Sequence, residues 1–112
     1  MKIQKSQKMT MEFFLKVRKV IRQSDGYEYL FIDNQQHILA AGNMGYDGNF
    51  VIAKYLENGD LDTSFGNSGV LTIVDGNYSG MVLLDDGSIL LLKFSGSDEI
   101  IINHYLANGV LA

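Results

Sequence analysis

The sequence predicts an all-β fold made of two four-stranded antiparallel sheets, and two observations carry this prediction. First, an internal repeat relates residues 34–39 to residues 85–90 at an offset of 51, and residues 55–61 to residues 105–111 at an offset of 50. Second, the apolar segments in each copy are short, rich in β-branched or aromatic residues, and bounded by Gly, Asn and Asp. This pattern is typical of strands joined by tight turns.

The repeat places four strands in the first copy and three in the second. We predict them at residues 28–33, 37–43, 50–56 and 69–74, and then at 79–84, 88–94 and 100–106. Residues 13–22 precede Tyr27 as residues 70–74 precede Tyr78. We therefore interpret 13–22 as the strand that completes the second sheet, although an amphipathic helix also fits this segment. Repeat 1 then covers about residues 27–77, repeat 2 about 78–112, and residues 1–12 form a flexible basic lead.

Several predicted strands are apolar on both faces, as in residues 38–41 and 50–53. A sheet of this kind needs other sheets packed against both sides, and antiparallel sheets stacked around an axis form a β-propeller. Two blades cannot close a ring, because propellers contain about four to eight. We therefore expect a homo-oligomeric ring, a trimer or a tetramer, in which strand 13–22 of one protomer pairs beside residues 100–106 of the next. The alternative is a fragment of a larger propeller protein, secreted or at the cell surface.

One stretch of the chain is similar to a known repeat. The similarity is carried by residues 38–42, residues 50–55 and the segment 58–70, in which Leu-Asp-Thr-Ser-Phe-Gly at 61–66 is followed by Gly69-Val70. Residues 37–71 resemble the delta-60 repeat, a bacterial β-propeller repeat family. The resemblance implies a propeller blade and no particular activity.

Segment 58–69 also has a structural interpretation from its residue types. Asn-Gly suits the positive φ angles of a tight turn, Asp and Ser oxygens can accept hydrogen bonds from backbone N–H groups, and a Phe can fill the space between blades. The two later glycines let the chain turn back into an outer strand. The residues of this structural motif are Asn58, Gly59, Leu61, Asp62, Ser64, Phe65, Gly66 and Gly69.

Composition and charge exclude several classes of site. The chain has no cysteine, which excludes disulfides, thiolate metal sites and a cysteine nucleophile. Its net charge is −4, but residues 1–22 carry +6 and the remainder −10. The basic segment lacks interleaved aromatic residues and the acidic body repels phosphate, so we expect neither nucleic acid nor membrane as a partner. No apolar run is long enough to span a bilayer and no signal peptide is evident, so a cytoplasmic location is expected if Met1 is native.

The sequence predicts no enzyme active site, metal or cofactor. His37 and His104 are the only histidines, and neither lies in a pattern of known catalytic type. The acidic pairs at 85–86 and 98–99 have the character of hairpin-turn residues in water. Alternating oxygen-bearing residues at 58, 60 and 62 resemble part of a calcium loop, but the closing glutamate of such a loop is missing.

A ligand, if there is one, is expected on the rim formed by the connections between the second and third strands and between the fourth strand and the next sheet. Aromatic rings beside amide and carboxylate oxygens suit carbohydrate binding. The alternative is a set of ordinary turns, with Tyr27 and Tyr78 packed inward. The sequence thus favours a non-enzymatic structural or interaction module, with a lectin-like carbohydrate-binding module as the alternative. The rim residues are Asp25, Tyr27, Tyr46, Asp47, Asn49, Asp75, Asn77, Tyr78, Asp98 and Glu99.

Overall fold

The first sheet contains four antiparallel strands in chain order. The computed structural model describes residues 29–44, 48–96 and 98–112, together with Met11 and Leu15. Strands β1 (Tyr29–Ile32), β2 (Ile38–Met44), β3 (Asn49–Tyr55) and β4 (Val70–Ile73) lie side by side in that order. Each successive pair is antiparallel. Short turns join β1 to β2 and β2 to β3, whereas the longer segment 56–69 joins β3 to β4.

The second sheet contains three antiparallel strands among the described residues. These are β5 (Gly80–Leu83), β6 (Ile89–Ser95) and β7 (Glu99–Tyr105), again in chain order. All seven observed strands begin and end within one residue of their predicted bounds. The all-β fold with two antiparallel sheets is therefore confirmed.

The strand predicted at 13–22 lies almost entirely outside the described residues. Within it only Leu15 is described, and both Leu15 and Met11 have α-helical backbone. At Leu15 the predicted strand is wrong. Apolar residues three and four apart, such as Phe13, Val17 and Val20, suit a helical turn as well as they suit a strand, so the pattern did not decide between the two.

The two sheets pack face to face through a continuous apolar core. The first sheet contributes alternate residues of its strands, the second contributes Met81, Ile89 and Leu91, and Phe65 and Tyr78 from the connections complete the cluster. Side chains opposite one another across a strand pair lie on the same face, which makes this a single inter-sheet layer. The residues of the first sheet in this layer are Phe31, Leu39, Ala41, Phe50 and Ile52.

The opposite face of the first sheet, here called the far face, is also buried within this single chain. Five of its residues are exposed by no more than 2%, whereas Val51 and Val70 are partly buried and Thr72 is exposed. Burial of these residues on both sides explains why the strands have no polar alternation. No sheet among the described residues packs on the far face, so a further sheet there stays a prediction. The five buried residues of the far face are Leu30, Ile32, Ile38, Ala40 and Ala53.

The turns of the two sheets make equivalent hydrogen bonds. After β3 the N–H group of Leu56 donates to the carbonyl of Asp60 at 2.7 Å, and after β7 the N–H group of Leu106 donates to Val110 at 2.7 Å. The glycines of these two turns have φ angles of 96° and 88°, values that L side chains rarely adopt. Positions 50 residues apart thus have the same local backbone structure.

Candidate interaction surface

The predicted ligand rim is described only in part. Tyr46 and Asp47, like Asp25 and Tyr27, lie outside the described residues. Asp98 and Glu99 are exposed where β6 turns into β7. The remaining rim residues, Asn49, Asp75, Asn77 and Tyr78, lie in or beside the β4–β5 connection.

Polar groups of the β2–β3 turn and of the β4–β5 connection form hydrogen bonds with each other. The side-chain oxygen of Asn49 accepts the N–H group of Asp75 at 3.3 Å, and the carbonyl of Gly48 accepts the N–H group of Asn77 at 3.1 Å. Asp75 and Asn77 have positive φ angles of 55° and 45°, which Asp and Asn tolerate better than most residues. These contacts tie the β2–β3 turn to the connection between the sheets.

Tyr78 is a core residue, so its predicted role in ligand binding is wrong. Its side chain is 4% exposed, and its ring meets the Phe50 ring edge-on with centroids 5.3 Å apart. Its hydroxyl group donates to Asn103 Oδ1 at 2.6 Å, and burial raises the pKa of Tyr78 above its ordinary value. A ring packed in this way cannot stack on a sugar. The alternative interpretation, in which Tyr78 packs inward, is the one that the structure supports.

The motif at 58–69 builds a compact connection. Asn58 Oδ1 accepts the Asp60 N–H group at 2.9 Å, and Asp62 Oδ1 accepts both the N–H group and the hydroxyl group of Ser64 at 3.1 and 2.6 Å. The bonds from Ser64 hold the pKa of Asp62 below its ordinary value. Asn58 Nδ2 also donates to Asp60 Oδ2 at 3.2 Å, so these side chains serve the turn. Among the described residues no group of three or more His, Asp or Glu side chains could hold a metal ion.

The second half of the motif joins the two sheets. Phe65 is fully buried in the apolar core between the two sheets. The N–H group of Gly66, with φ of 55°, donates to the Asn108 carbonyl at 2.8 Å. Gly69, with φ of 101°, packs against the Leu61 side chain and accepts the N–H group of Lys54 at 3.0 Å. The segment 58–69 therefore stabilises the β3–β4 connection and its contact with the second sheet.

Lys54 is a buried cation that the sequence did not single out. Its side chain lies over the Phe65 ring at 5.7 Å, donates to the Ala107 carbonyl at 3.4 Å, and lies 3.9 Å from Asp33 Oδ2. His37 Nδ1 lies 3.4 Å from the same carboxylate oxygen. In the sequence, the feature that could have indicated this buried lysine is its position inside the otherwise apolar run at 51–55. In the second sheet His104 takes the corresponding place, as the repeat predicts: Lys54 pairs with Leu39, and His104 with Leu90.

A shallow groove of about 290 Å³ opens beside Lys54, between the β1–β2 and β5–β6 turns. The side chain of Asn34 crosses it and donates to the Asp85 carbonyl at 3.1 Å. The two turns are therefore linked directly, and the groove is part of the seam between the sheets.

The side of the second sheet that points away from the first exposes a group of apolar side chains. We call it the outer face. Phe94, Ile100 and Ile102 are exposed by 64%, 59% and 58%. Cross-strand pairing places the seven side chains of this surface together. The outer face consists of Val82, Leu90, Leu92, Phe94, Ile100, Ile102 and His104.

Comparisons with known proteins give no family for this chain. No family model matches the sequence, and neither a curated protein nor a solved structure matches it. The resemblance to the delta-60 repeat thus stays a prediction. Within the described residues no helix is long and apolar enough to cross a membrane.

Proposed function

We propose that this chain is a non-enzymatic interaction module that binds another β-sheet through its outer face. The observation that carries the proposal is the exposure of a contiguous apolar sheet face in a chain that otherwise buries its apolar strands well. Monomeric soluble proteins rarely expose large contiguous apolar patches, and such patches mark association sites. Burial of these side chains against a partner would contribute about 25 cal/mol per Å².

The repeat supports this proposal independently of patch size. At offsets of 51 and 50, Val82 corresponds to Phe31, Leu90 to Leu39, and Ile102 to Ile52. All three first-sheet residues are buried in the layer between the sheets. The outer face is therefore the second copy of a surface that the first copy uses for sheet packing, which points to sheet packing as its own purpose.

The edge of β7, which no described strand covers along residues 100–103, adds to the same interpretation. In the first sheet, residues 50–53 pair with β4, whereas no described strand pairs with the corresponding residues 100–103. An unpaired strand edge beside an apolar face is the combination that proteins ordinarily cover. We propose that the same partner covers both.

Sedimentation velocity over a wide range of concentration tests the proposal. Wild-type protein is expected to associate, while Phe94→Lys and Ile102→Lys should each weaken association by roughly tenfold or more, because a lysine placed there must be desolvated. Val74→Lys is the matched control, since Val74 is 71% exposed but lies in the β4–β5 connection. A wild-type chain that stays monomeric, or lysine variants that associate like the control, would overturn the proposal.

A further inference from the structure

We infer that the edge of β7 binds an extended segment of a partner polypeptide, which pairs antiparallel with β7 as a fourth strand of the second sheet. The inference rests on the proposed function and names the part of the partner that meets this edge. The first sheet identifies the occupant, because β4 covers the corresponding edge of β3 there. The binding segment is therefore expected to share the chemistry of β4 and of the residues that lead into it.

The two copies follow the same backbone path up to the point where their pairing differs. The carbonyl of Lys54 accepts the N–H group of Asp62 at 2.8 Å, and the carbonyl of His104 accepts the N–H group of Ala112 at 2.9 Å, each pair 50 residues from the other. An isolated antiparallel bridge between equivalent residues closes each turn. Beyond these turns β3 pairs with β4, whereas no described strand pairs with the same edge of β7.

This edge of β7 presents a regular series of backbone donors and acceptors. In an antiparallel sheet the N–H and C=O groups of alternate residues point to the same side of a strand. The carbonyl of His104 points to the edge, since it bonds to Ala112, and the backbone groups of Ile100 and Ile102 therefore point the same way. In the first sheet the N–H group of Lys54 donates to the chain just before β4 at 3.0 Å. An added strand satisfies all of these groups together, which is how a sheet edge binds an extended peptide.

The side chains of β4 specify what the added strand should carry. Leu71 and Ile73 pack against the core between the sheets, whereas Thr72 between them is exposed. The β3 residues that pair with Leu71 and Ile73 correspond, at an offset of 50, to Ile102 and Ile100. Those two isoleucines are exposed by 58% and 59%. A segment with apolar residues at alternate positions would place its apolar side chains beside them.

The segment before β4 adds an aromatic side chain to this specification. Phe65 lies five residues before Val70, the first residue of β4, and is fully buried. The Nζ atom of Lys54 lies 5.7 Å from the centre of its ring. His104 takes the place of Lys54 in the second sheet and is exposed. An aromatic residue ahead of the partner strand would thus pack beside His104 on the outer face.

A synthetic peptide of residues 63–74, with two lysines added at its C-terminus for solubility, is the probe. In the first copy this segment follows Asp62, the residue that corresponds to Ala112. A labelled form of the peptide should bind the full chain saturably in fluorescence anisotropy, at a dilution where the chain is monomeric by sedimentation velocity. Hydrogen exchange should then slow at the amides of Ile100, Ile102 and His104, which face the edge.

Peptide variants separate edge pairing from adhesion to the outer face. The register of β4 directs the backbone N–H groups of Leu71 and Ile73 towards β3 and that of Thr72 away from it. N-methylation of the peptide at Leu71 and Ile73 should weaken binding by about tenfold or more, since two hydrogen bonds are lost. N-methylation at Thr72 is the matched control and should change the affinity by less than about twofold. Replacement of Phe65 in the peptide by alanine should weaken binding by about two- to tenfold.

Each outcome has a distinct meaning. Slowed exchange at the three edge amides, with binding lost on methylation at Leu71 and Ile73 but kept on methylation at Thr72, supports the inference. Equal binding of the two methylated peptides would show adhesion without strand pairing and overturn it. Slow exchange of these amides before peptide is added would show that the chain itself already covers the edge, and would also overturn it. Absence of peptide binding in a chain that associates defeats the inference alone, whereas lysine variants of the outer face that associate like their control defeat the proposed function.

Discussion

The hydroxyl group of Tyr78 donates a 2.6 Å hydrogen bond to Oδ1 of Asn103, which joins the connection between the sheets to the last strand. The bond spans 25 residues of sequence and lies beside the apolar core. Lys93 Nζ lies over the same tyrosine ring, 5.2 Å from its centroid. Tyr78 is thus held by its ring, its hydroxyl group and a cation together.

Tyr78→Phe should lower the free energy of unfolding by about 1 kcal/mol, because it removes the hydroxyl group and leaves the Asn103 oxygen without that donor. Tyr78→Ala should lower it by about 3–5 kcal/mol, because it also leaves a cavity against Phe50. Urea denaturation of both variants measures the difference. Equal stability of wild type and Tyr78→Phe would show that the hydrogen bond contributes nothing.

Gly109→Ala should disturb the contact between the sheets. A Cβ atom at this position would lie 3.0 Å from the Gly66 nitrogen, and φ is 88°. We expect a loss of about 2–3 kcal/mol on thermal or urea unfolding, since backbone strain and crowding act together. Gly96→Ala is the matched control, because Gly96 has φ of 67° and no neighbouring atom within 4 Å of such a Cβ. The control should lose about 1–2 kcal/mol, the cost of the backbone conformation alone. Similar losses in the two variants would contradict the crowding argument.

Gln36→Gly should stabilise the protein. Gln36 has φ of 64°, which is unfavourable for a side chain with a Cβ atom, whereas the second sheet has Gly87 at the equivalent turn position with φ of 87°. The gain should be about 0.5–1 kcal/mol, because relief of strain exceeds the added entropy of the unfolded glycine. Gly87→Gln is the reciprocal variant and should destabilise, since its Cβ would also lie 3.1 Å from Ala107. A lower melting temperature for Gln36→Gly would refute this account.

Ser64→Ala should raise the pKa of Asp62 towards its ordinary value, because the hydroxyl hydrogen bond is the largest cause of the lowered pKa. The folded-state pKa of Asp62 lies below the unfolded one, so its contribution to stability is present above the unfolded pKa and is lost as pH falls through the folded pKa. The variant should therefore lose less stability on acidification than wild type. NMR titration of the Asp62 carboxyl carbon measures the shift, and Thr63→Ala at the exposed neighbouring position should leave it unchanged.

The strands and turns could be predicted because their signals are local. Gly, Asn and Asp punctuate the chain wherever a strand ends, and the repeat applies one set of boundaries to the other. Phe65 could be assigned to the core for the same reason, from its place in a motif. Antiparallel pairing of β1 with β2 and of β5 with β6 agrees with the same signals, since a short turn joins each pair.

The features that were missed depend on distant parts of the chain. Lys54 is held by a carbonyl 53 residues away, and no local pattern indicates that contact. Tyr78 lies in the β4–β5 connection, as the predicted strands imply, but its ring packs against Phe50 on another strand. The far face was expected to need a neighbour, yet it is already covered within one chain. Tertiary packing rather than propensity determines all three.

The far face and the outer face differ in burial, and this difference affects how copies of the chain could stack. A repeat protein with two exposed and complementary sheet faces would form an unbounded filament, because each added copy would present the same free face again. In this chain Leu30, Ile32 and Ile38 on the far face are already buried, so a further copy could not use these side chains as a docking surface. Burial at these positions therefore works against open-ended stacking of copies through that face.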